Sequence, residues 1–219
     1  MSYDINTYVD KIFYINLDHC VDRKEKLERS LEEHDIWNYE RTPGVMIKEI
    51  PPSHGMTIPP NEDINHEAYL KGSLGCLAAH RNIISDALKR GYQRICVLED
   101  DVTLVHDFRN RFDKFITELE GSAPHYQIAY LGLSSGIETG NSDSLIQLSH
   151  SAYGTYGYIL NDLQWVFQYL LTNIDYAQQE IDLMLNNLIA QKCLSLAYLV
   201  NPPLLVHDAQ TPSNIRLLQ

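Results

Sequence analysis

Apolar and polar positions repeat with two different periods along this chain, and the changes of period mark its elements. Residues 1–10 read as a loose lead-in. Lys11 to Leu17, KIFYINL, is rich in β-branched and aromatic residues and predicts a first strand. Asp22 is the expected N-cap of a helix reaching about His34, with Glu25 as its capping-box partner and Leu27 and Leu31 as a narrow apolar stripe. Trp37 to Arg41 reads as a short second strand. From about Thr42 to Leu70 the periodicity disappears, and Pro51-Pro52 and Pro59-Pro60 punctuate an irregular stretch, either a lid over a ligand or a surface insertion. Ser73 is the expected N-cap of a helix running to about Arg90, with Leu77, His80, Ile84 and Leu88 near one face and Gly91 as its stop.

Ile95 to Leu98 is a continuous apolar run, the pattern of a strand buried on both faces. Phe108, Phe112, Phe115, Ile116 and Leu119 recur at helical spacing and predict a core-packed helix over 108–120. Tyr126 to Leu133 predicts a strand, the Ser-, Gly-, Asn- and Asp-rich residues 134–143 a loop, and Leu145 to Leu148 a short strand. Gly154 and Gly157, set among aromatic residues, point to a backbone that needs close approach or unusual dihedrals. Asn161 is the expected cap of a helix burying Leu163, Val166, Phe167, Leu170 and Leu171. A further helix spans about Gln179 to Gln191, Ser195 to Val200 forms a last strand, and an irregular tail follows. Strands alternate with helices throughout, so the class is α/β, in one domain over residues 1–219.

Composition narrows the function classes. A net charge of −12 argues against nucleic acid and anionic membranes as general partners, since both demand a basic surface. It leaves room for a small phosphorylated ligand, because a bound metal reverses the local field. Cys20, Cys76, Cys96 and Cys193 are scattered without a C-x-x-C pair, which reads as reduced thiols in a cytoplasmic protein. Neither a signal peptide nor an apolar run of membrane-spanning length is visible; peripheral membrane contact stays open.

The candidate chemistry lies at the end of the apolar strand, where Glu99, Asp100 and Asp101 stand side by side. Three adjacent negative charges are costly unless a cation sits among them. Mg²⁺ and Mn²⁺ favour carboxylate oxygens and share them with substrate phosphates. In an extended backbone Glu99 and Asp101 point one way and Asp100 the other. Strand carboxyl ends are also where open α/β sheets hold ligands. The alternative is a solvated acidic turn. His80 is either a buried histidine satisfied by a carbonyl or a ligand contact. Asp182, in a first helical turn, either complements the helix dipole or does chemistry. His207 is a ligand for Mn²⁺ if the chain end folds back, and otherwise a surface histidine.

Taken together, FYINLD with DRK, GSLGCLAAHR, VLEDDV, GTYGYIL, EIDLML and PPLLVH followed by SNI occur in an order that resembles glycosyltransferase family 25, over about residues 11–216. That family includes bacterial lipopolysaccharide and lipooligosaccharide galactosyltransferases and collagen galactosyltransferases. The resemblance implies a GT-A fold with a central mixed, mostly parallel sheet flanked by helices. It implies transfer of a sugar, often galactose, from a UDP-sugar with inversion to a hydroxyl of a glycan, lipopolysaccharide or protein acceptor. It assigns VLEDD the role of the metal and ribose motif, with Asp101 as the main ligand of Mn²⁺ or Mg²⁺ and Glu99 and Asp100 toward the ribose or the metal's waters. It gives His207 as a second metal ligand from a tail that closes on the site. Asn16, Arg23 and His80 fall on the donor side, and Thr155 and Tyr156 on the sugar or acceptor pocket. The family's G-T-H-G-Y reads Gly154-Thr155-Tyr156-Gly157-Tyr158 here, and its P-V-D reads Glu180-Ile181-Asp182.

An inverting transfer needs a base for the acceptor hydroxyl. Asp182 is the candidate, with holding the acceptor's hydroxyls as its other possible role. Two further readings remain. One is a degenerate fold kept as a binding module. The other is a metal-dependent phosphohydrolase, whose two-metal sites carry denser His and Asp clusters than this sequence has.

Overall fold

A computed structural model of the chain describes residues 2–52, 55–56, 65–133, 145–148, 153–162 and 165–208. The chain opens with a short helix, α1 (Ile5–Tyr8), then β1 (Lys11–Asn16), α2 (Val21–Glu33), β2 (Tyr39–Pro43) and the long α3 (His66–Arg90). Next come β3 (Arg94–Glu99), β4 (Val102–Leu104), α4 (Phe108–Ser122), β5 (Ile128–Gly132), β6 (Leu145–Gln147) and β7 (Gly157–Asn161). The remaining elements are α5 (Val166–Asp175), α6 (Ile181–Ala190), β8 (Ala197–Val200) and β9 (Leu205–His207).

Seven strands form one sheet in the order β2-β1-β3-β7-β5-β8-β6. β1 is parallel to β2 and β3, and β8 is parallel to β5; β7 runs against β3 and β5, and β6 against β8. Only β7 and β6 are reversed, so the sheet is mixed and mostly parallel, as expected for an α/β chain of this kind. Period-2 alternation divides the central strand between two cores. Ile95 and Val97 pack with residues of α3, α5 and α6, whereas Cys96 and Leu98 pack with residues of α1, α2 and α4. Both faces of the sheet are therefore covered, which accounts for the unbroken apolar run of β3.

Register brings the chemistry together. Ile15 of β1 lies opposite Glu99 of β3, so Asn16 and the acidic run share one edge of the sheet. The extended run ends at Glu99; Asp100 and Asp101 form a turn, and β4 leaves it in a new direction. β4 pairs with β9 in a separate two-stranded sheet, with Val102 opposite His207.

Several boundaries differ from the sequence reading, each through a long-range contact. The lead-in contains α1, capped by the Asp4 side chain, and buries Ile5, Tyr8 and Val9 in the core. Asp22 lies in the first turn of α2 and not at its cap, which is Cys20. The second strand sits slightly later than expected, at Tyr39–Pro43, where it runs parallel to β1. α3 starts at His66, seven residues before the expected cap Ser73, and is capped by Asn65, whose side chain accepts from the Ala68 amide. Gly72 and Gly75 are thus inside the helix. A Cβ on Gly75 would collide with the Val45 carbonyl oxygen, so the glycine marks close packing and not a helix end. Gly91 does stop the helix in a left-handed conformation, φ 72°.

Asn161 ends β7 and does not cap α5; Asp162 does part of that work, accepting from the Phe167 amide at 3.1 Å. The tail is not wholly irregular, because β9 forms in it: the Val105 amide donates to Leu204 and the Leu204 amide to Leu131. The expected loop 134–143, Leu163 and the stretch Ser213 to Arg216 lie outside the described residues.

Candidate active site

Four strand ends and one helix start build the site. Asp100 faces β1. Its Oδ2 accepts from Asn16 Nδ2 at 2.7 Å, and its Oδ1 from the Arg23 guanidinium at 3.0 Å. Asn16 is itself fixed, donating to the Cys20 carbonyl at 2.9 Å and accepting from Arg41 Nε at 2.9 Å. Glu99, the last residue of β3, faces Thr155 and His80 instead, and the alternation expected of an extended run stops there because Asp100 and Asp101 lie in the turn. Its Oε1 accepts from the buried Thr155 hydroxyl at 2.7 Å and lies 4.0 Å from His80 Nε2. Asp101 turns toward the tail, with Oδ2 3.6 Å from His207 Nε2. Its Oδ1 is buried and has no hydrogen-bond partner among the described residues.

His207 is placed by backbone pairing. It lies opposite Val102, and the next amide, Asp208, donates to the Asp101 carbonyl at 2.8 Å. Its ring stacks on Tyr156 with centroids 5.5 Å apart. The adjacent Asp208 carboxylate pairs with Lys26 of α2. Beneath this strand Leu205 fills the space left by Gly132 and Gly157, where any Cβ would strike it.

The electrostatics follow from burial. The Glu99 carboxyl is pushed well above the usual carboxylate range by burial and then by the charge of Asp101. Asp101 is raised by burial and by Asp100, against the pull of His207 and Arg23. Burial holds His80 down to about 4, so it is neutral; its Nδ1 is 2.6 Å from the Tyr158 hydroxyl. The expected burial of His80 holds, but its hydrogen-bond partner is the Tyr158 phenol and not a backbone carbonyl. Buried acids with raised affinity for protons and an unpartnered oxygen are the environment a divalent cation relieves, and the nearby imidazole adds a nitrogen donor. The Asp101–His207 pair therefore fits a Mn²⁺ or Mg²⁺ ion.

Asp182 lies in the first turn of α6. Its Oδ1 accepts from the Leu183 amide at 2.8 Å and its Oδ2 from the Gly154 amide at 3.2 Å. Gly154 holds φ 81°, a conformation that suits glycine and aims this amide at the carboxylate. The charge of Asp182 acts on Glu99, Cys76 and Tyr130, so the structure draws it to the acidic run from 81 residues further along the chain (182 minus 101).

A cavity of ≈ 790 Å³ opens beside the strand ends, lined by Asn16, Arg23, Glu99, Asp100 and Asp101 together with Gly44–Lys48 and one side of α3. His80, Thr155, Tyr156, Asp182 and His207 are not among its lining residues; His80 backs the acidic run from α3 and the others from the β7, α6 and β9 side. Sequence reasoning missed Cys76, Lys48 and Lys71 on the cavity wall and Arg41 behind Asn16. For Cys76 a signal existed: it precedes His80 by four residues, one helical turn.

The sequence profile of "Glycosyltransferase family 25 (LPS biosynthesis protein)" matches residues 9–185. The chain belongs to glycosyltransferase family 25. Relatives in the family include a glycosyltransferase 25 family member of Drosophila melanogaster, 29% identical over 70% of this chain, and procollagen galactosyltransferase 1 of Danio rerio, 26% identical over 69%. A human relative, 28% identical over 56% of this chain, is named an inactive glycosyltransferase 25 family member 3. The chain spans about a quarter of the length of these relatives (26%, 27% and 22%). Among solved structures, a glycosyltransferase involved in glycosylation of the major capsid of PBCV-1 superposes with a TM-score of 0.52 at 10% identity, covering 94% of this chain and 97% of that one. That likeness supports the GT-A-like fold. No helix among the described residues is long and apolar enough to cross a membrane.

Proposed function

We propose that this family 25 chain transfers a sugar, galactose being the first candidate, from a UDP-sugar to a hydroxyl of a glycan, lipopolysaccharide or protein acceptor, with inversion and with Mn²⁺ or Mg²⁺ held by Asp101 and His207. The observation that carries the reading is the approach of His207 to Asp101, whose Oδ1 has no hydrogen-bond partner among the described residues, beside a cavity lined by Asn16 and Arg23. The divalent ion, when bound, supplies Lewis-acid stabilisation of the charge that develops on the leaving diphosphate.

The chain's own residues do the rest. Asn16 and Arg23 orient the nucleotide from the β1 side, and Arg23 brings a positive charge to an otherwise acidic edge. Glu99 and Asp100 approach the ribose or the metal's waters. Thr155 and Tyr156 shape the sugar pocket from β7. Asp182 accepts the proton of the acceptor hydroxyl as the new glycosidic bond forms. Amide contacts from Leu183 and Gly154 fix the position of its carboxylate. Four free cysteines suit a reducing, cytoplasmic setting.

Calorimetric titration with UDP, with and without Mn²⁺, tests donor binding; binding that ignores the metal would remove the ion from the scheme. Asp182→Asn is expected to keep UDP affinity and lower turnover about 100-fold, the range typical of a lost general base. A parallel loss of UDP affinity would instead make Asp182 a binding residue. The inactive human relative favours one second reading, a non-catalytic nucleotide-sugar binder. Metal-dependent UDP binding with no product from any UDP-sugar would support it.

A further inference from the structure

In the cavity wall, with His80 just behind it, lies a cluster that the proposed reaction does not use as a unit. Cys76 and His80 stand one turn apart on the same face of α3, and Glu99 closes the group from the end of β3. One ligand atom from each lies within 4.8 Å of the others. His80 has no exposed surface, and its Nε2 has no hydrogen-bond partner among the described residues. If Nδ1 donates to the Tyr158 oxygen at 2.6 Å, Nε2 is left with a bare lone pair facing Glu99. A histidine fixed through its other nitrogen in this way is the usual arrangement of a metal ligand. Thr155, donating to Glu99, orients the carboxylate in the same sense.

The donor set is one sulfur, one nitrogen and one oxygen. Thiolate and imidazole select borderline-soft ions such as Zn²⁺ over Mg²⁺, in contrast to the pairing of Asp101 with His207 nearby. We propose that Cys76 Sγ, His80 Nε2 and Glu99 form a second cation site of the Zn²⁺ class, with its fourth position open to the cavity that Cys76 and Glu99 line. A tetrahedral Zn²⁺ places its ligand atoms about 3.5 Å apart, so no pair has to close by more than roughly 1.3 Å on binding. Binding releases the Cys76 thiol proton to solvent. In the absence of a cation, burial first and then the surrounding acids, Glu99 foremost, hold the thiol protonated. Because Glu99 is shared, an ion here competes with the donor for that carboxylate, and Zn²⁺ acts as an inhibitor and not as a substitute for Mn²⁺.

The test reads binding without donor or acceptor. Chelator-treated protein is titrated with Zn²⁺ and, separately, Co²⁺, in excess Mg²⁺. We expect one Zn²⁺ per chain, a thiolate-to-Co²⁺ charge-transfer band, and protection of Cys76 from alkylation as mapped by mass spectrometry. Cys76→Ser is expected to abolish the band and weaken Zn²⁺ by more than about 100-fold, since loss of an outer hydrogen-bond partner alone costs 10–100-fold; Tyr158→Phe is expected to cost about 10-fold. Asp101→Asn is expected to keep the band. Absence of Zn²⁺ uptake, a band that survives Cys76→Ser, or uptake that disappears with Asp101→Asn would overturn the assignment. If Cys76→Ser fails to fold, the alkylation of native Cys76 decides: equal rates with and without Zn²⁺ would end the proposal.

Discussion

The two sides of the acidic run are built in opposite ways. Toward β1, Asp100 is fully answered: Arg23 supplies a charge, Asn16 an amide, and Arg41 fixes Asn16 from behind. Toward β7 and β9, Glu99 and Asp101 have one hydroxyl and two more distant imidazoles between them, those of His80 and His207, and Asp101 Oδ1 has no partner among the described residues. The contrast lies in compensation. A neutralised carboxylate stabilises the apo fold. An unneutralised one destabilises it and persists where binding supplies the missing charge.

This contrast is open to attack from both sides. The largest effect is expected from Asp101→Asn, which should lower transferase turnover about 1,000-fold, the upper range for loss of a preorganised electrostatic group. Its melting temperature should stay level or rise, because the variant removes an unanswered charge; a clear fall would mean that Asp101 is part of the scaffold. Arg23→Ala should do the reverse on the other side. It should destabilise the metal-free protein by about 3 kcal/mol in urea unfolding, because it strands a buried Asp100. Arg23→Ala combined with Asp100→Asn should recover much of that loss.

The smallest effect concerns His80. In the unfolded chain it titrates near 6.5 and in the folded chain near 4, so the unfolded state binds more protons between those values. Its contribution to stability is full above about 6.5 and is lost as pH falls toward 4. Glu99, 4.0 Å away and raised, has the opposite sign, favouring the fold at low pH; Cys76 and Tyr158, also beside the ring, stay protonated there. Subtracting the pH profile of His80→Gln from that of the native protein cancels most of the Glu99 part. An unfolding-stability difference that does not change between pH 6.5 and 4 would contradict a buried neutral His80.

The same division explains what the sequence could disclose. The Phe108–Leu119 stripe and the Ile95–Leu98 run are set by local period and burial, and both elements form where periodicity puts them. The acidic triplet was visible because its cost is local too. Elements defined by distant partners were not. Gly75 looks like a breaker in sequence, and only the Val45 carbonyl across the cavity makes it a contact point inside α3. Pro202-Pro203 suggests an unstructured tail, yet three residues beyond them pair with β4, about a hundred positions earlier in the chain. His207 could be named from the family pattern, but its approach to Asp101 depends on that pairing. Arg41 carried no signal, because its task is to hold another side chain.

Leu205 and His207 sit on the same side of β9, one pressed onto the bare backbone of Gly132 and Gly157 and the other leaning toward Asp101. Whatever shifts the leucine carries the imidazole with it. The reach of the candidate ligand is thus set from the packed core beneath the strand, and a methyl group added at Gly132, whose nearest neighbours are all atoms of Leu205, would detune the centre without touching an acid.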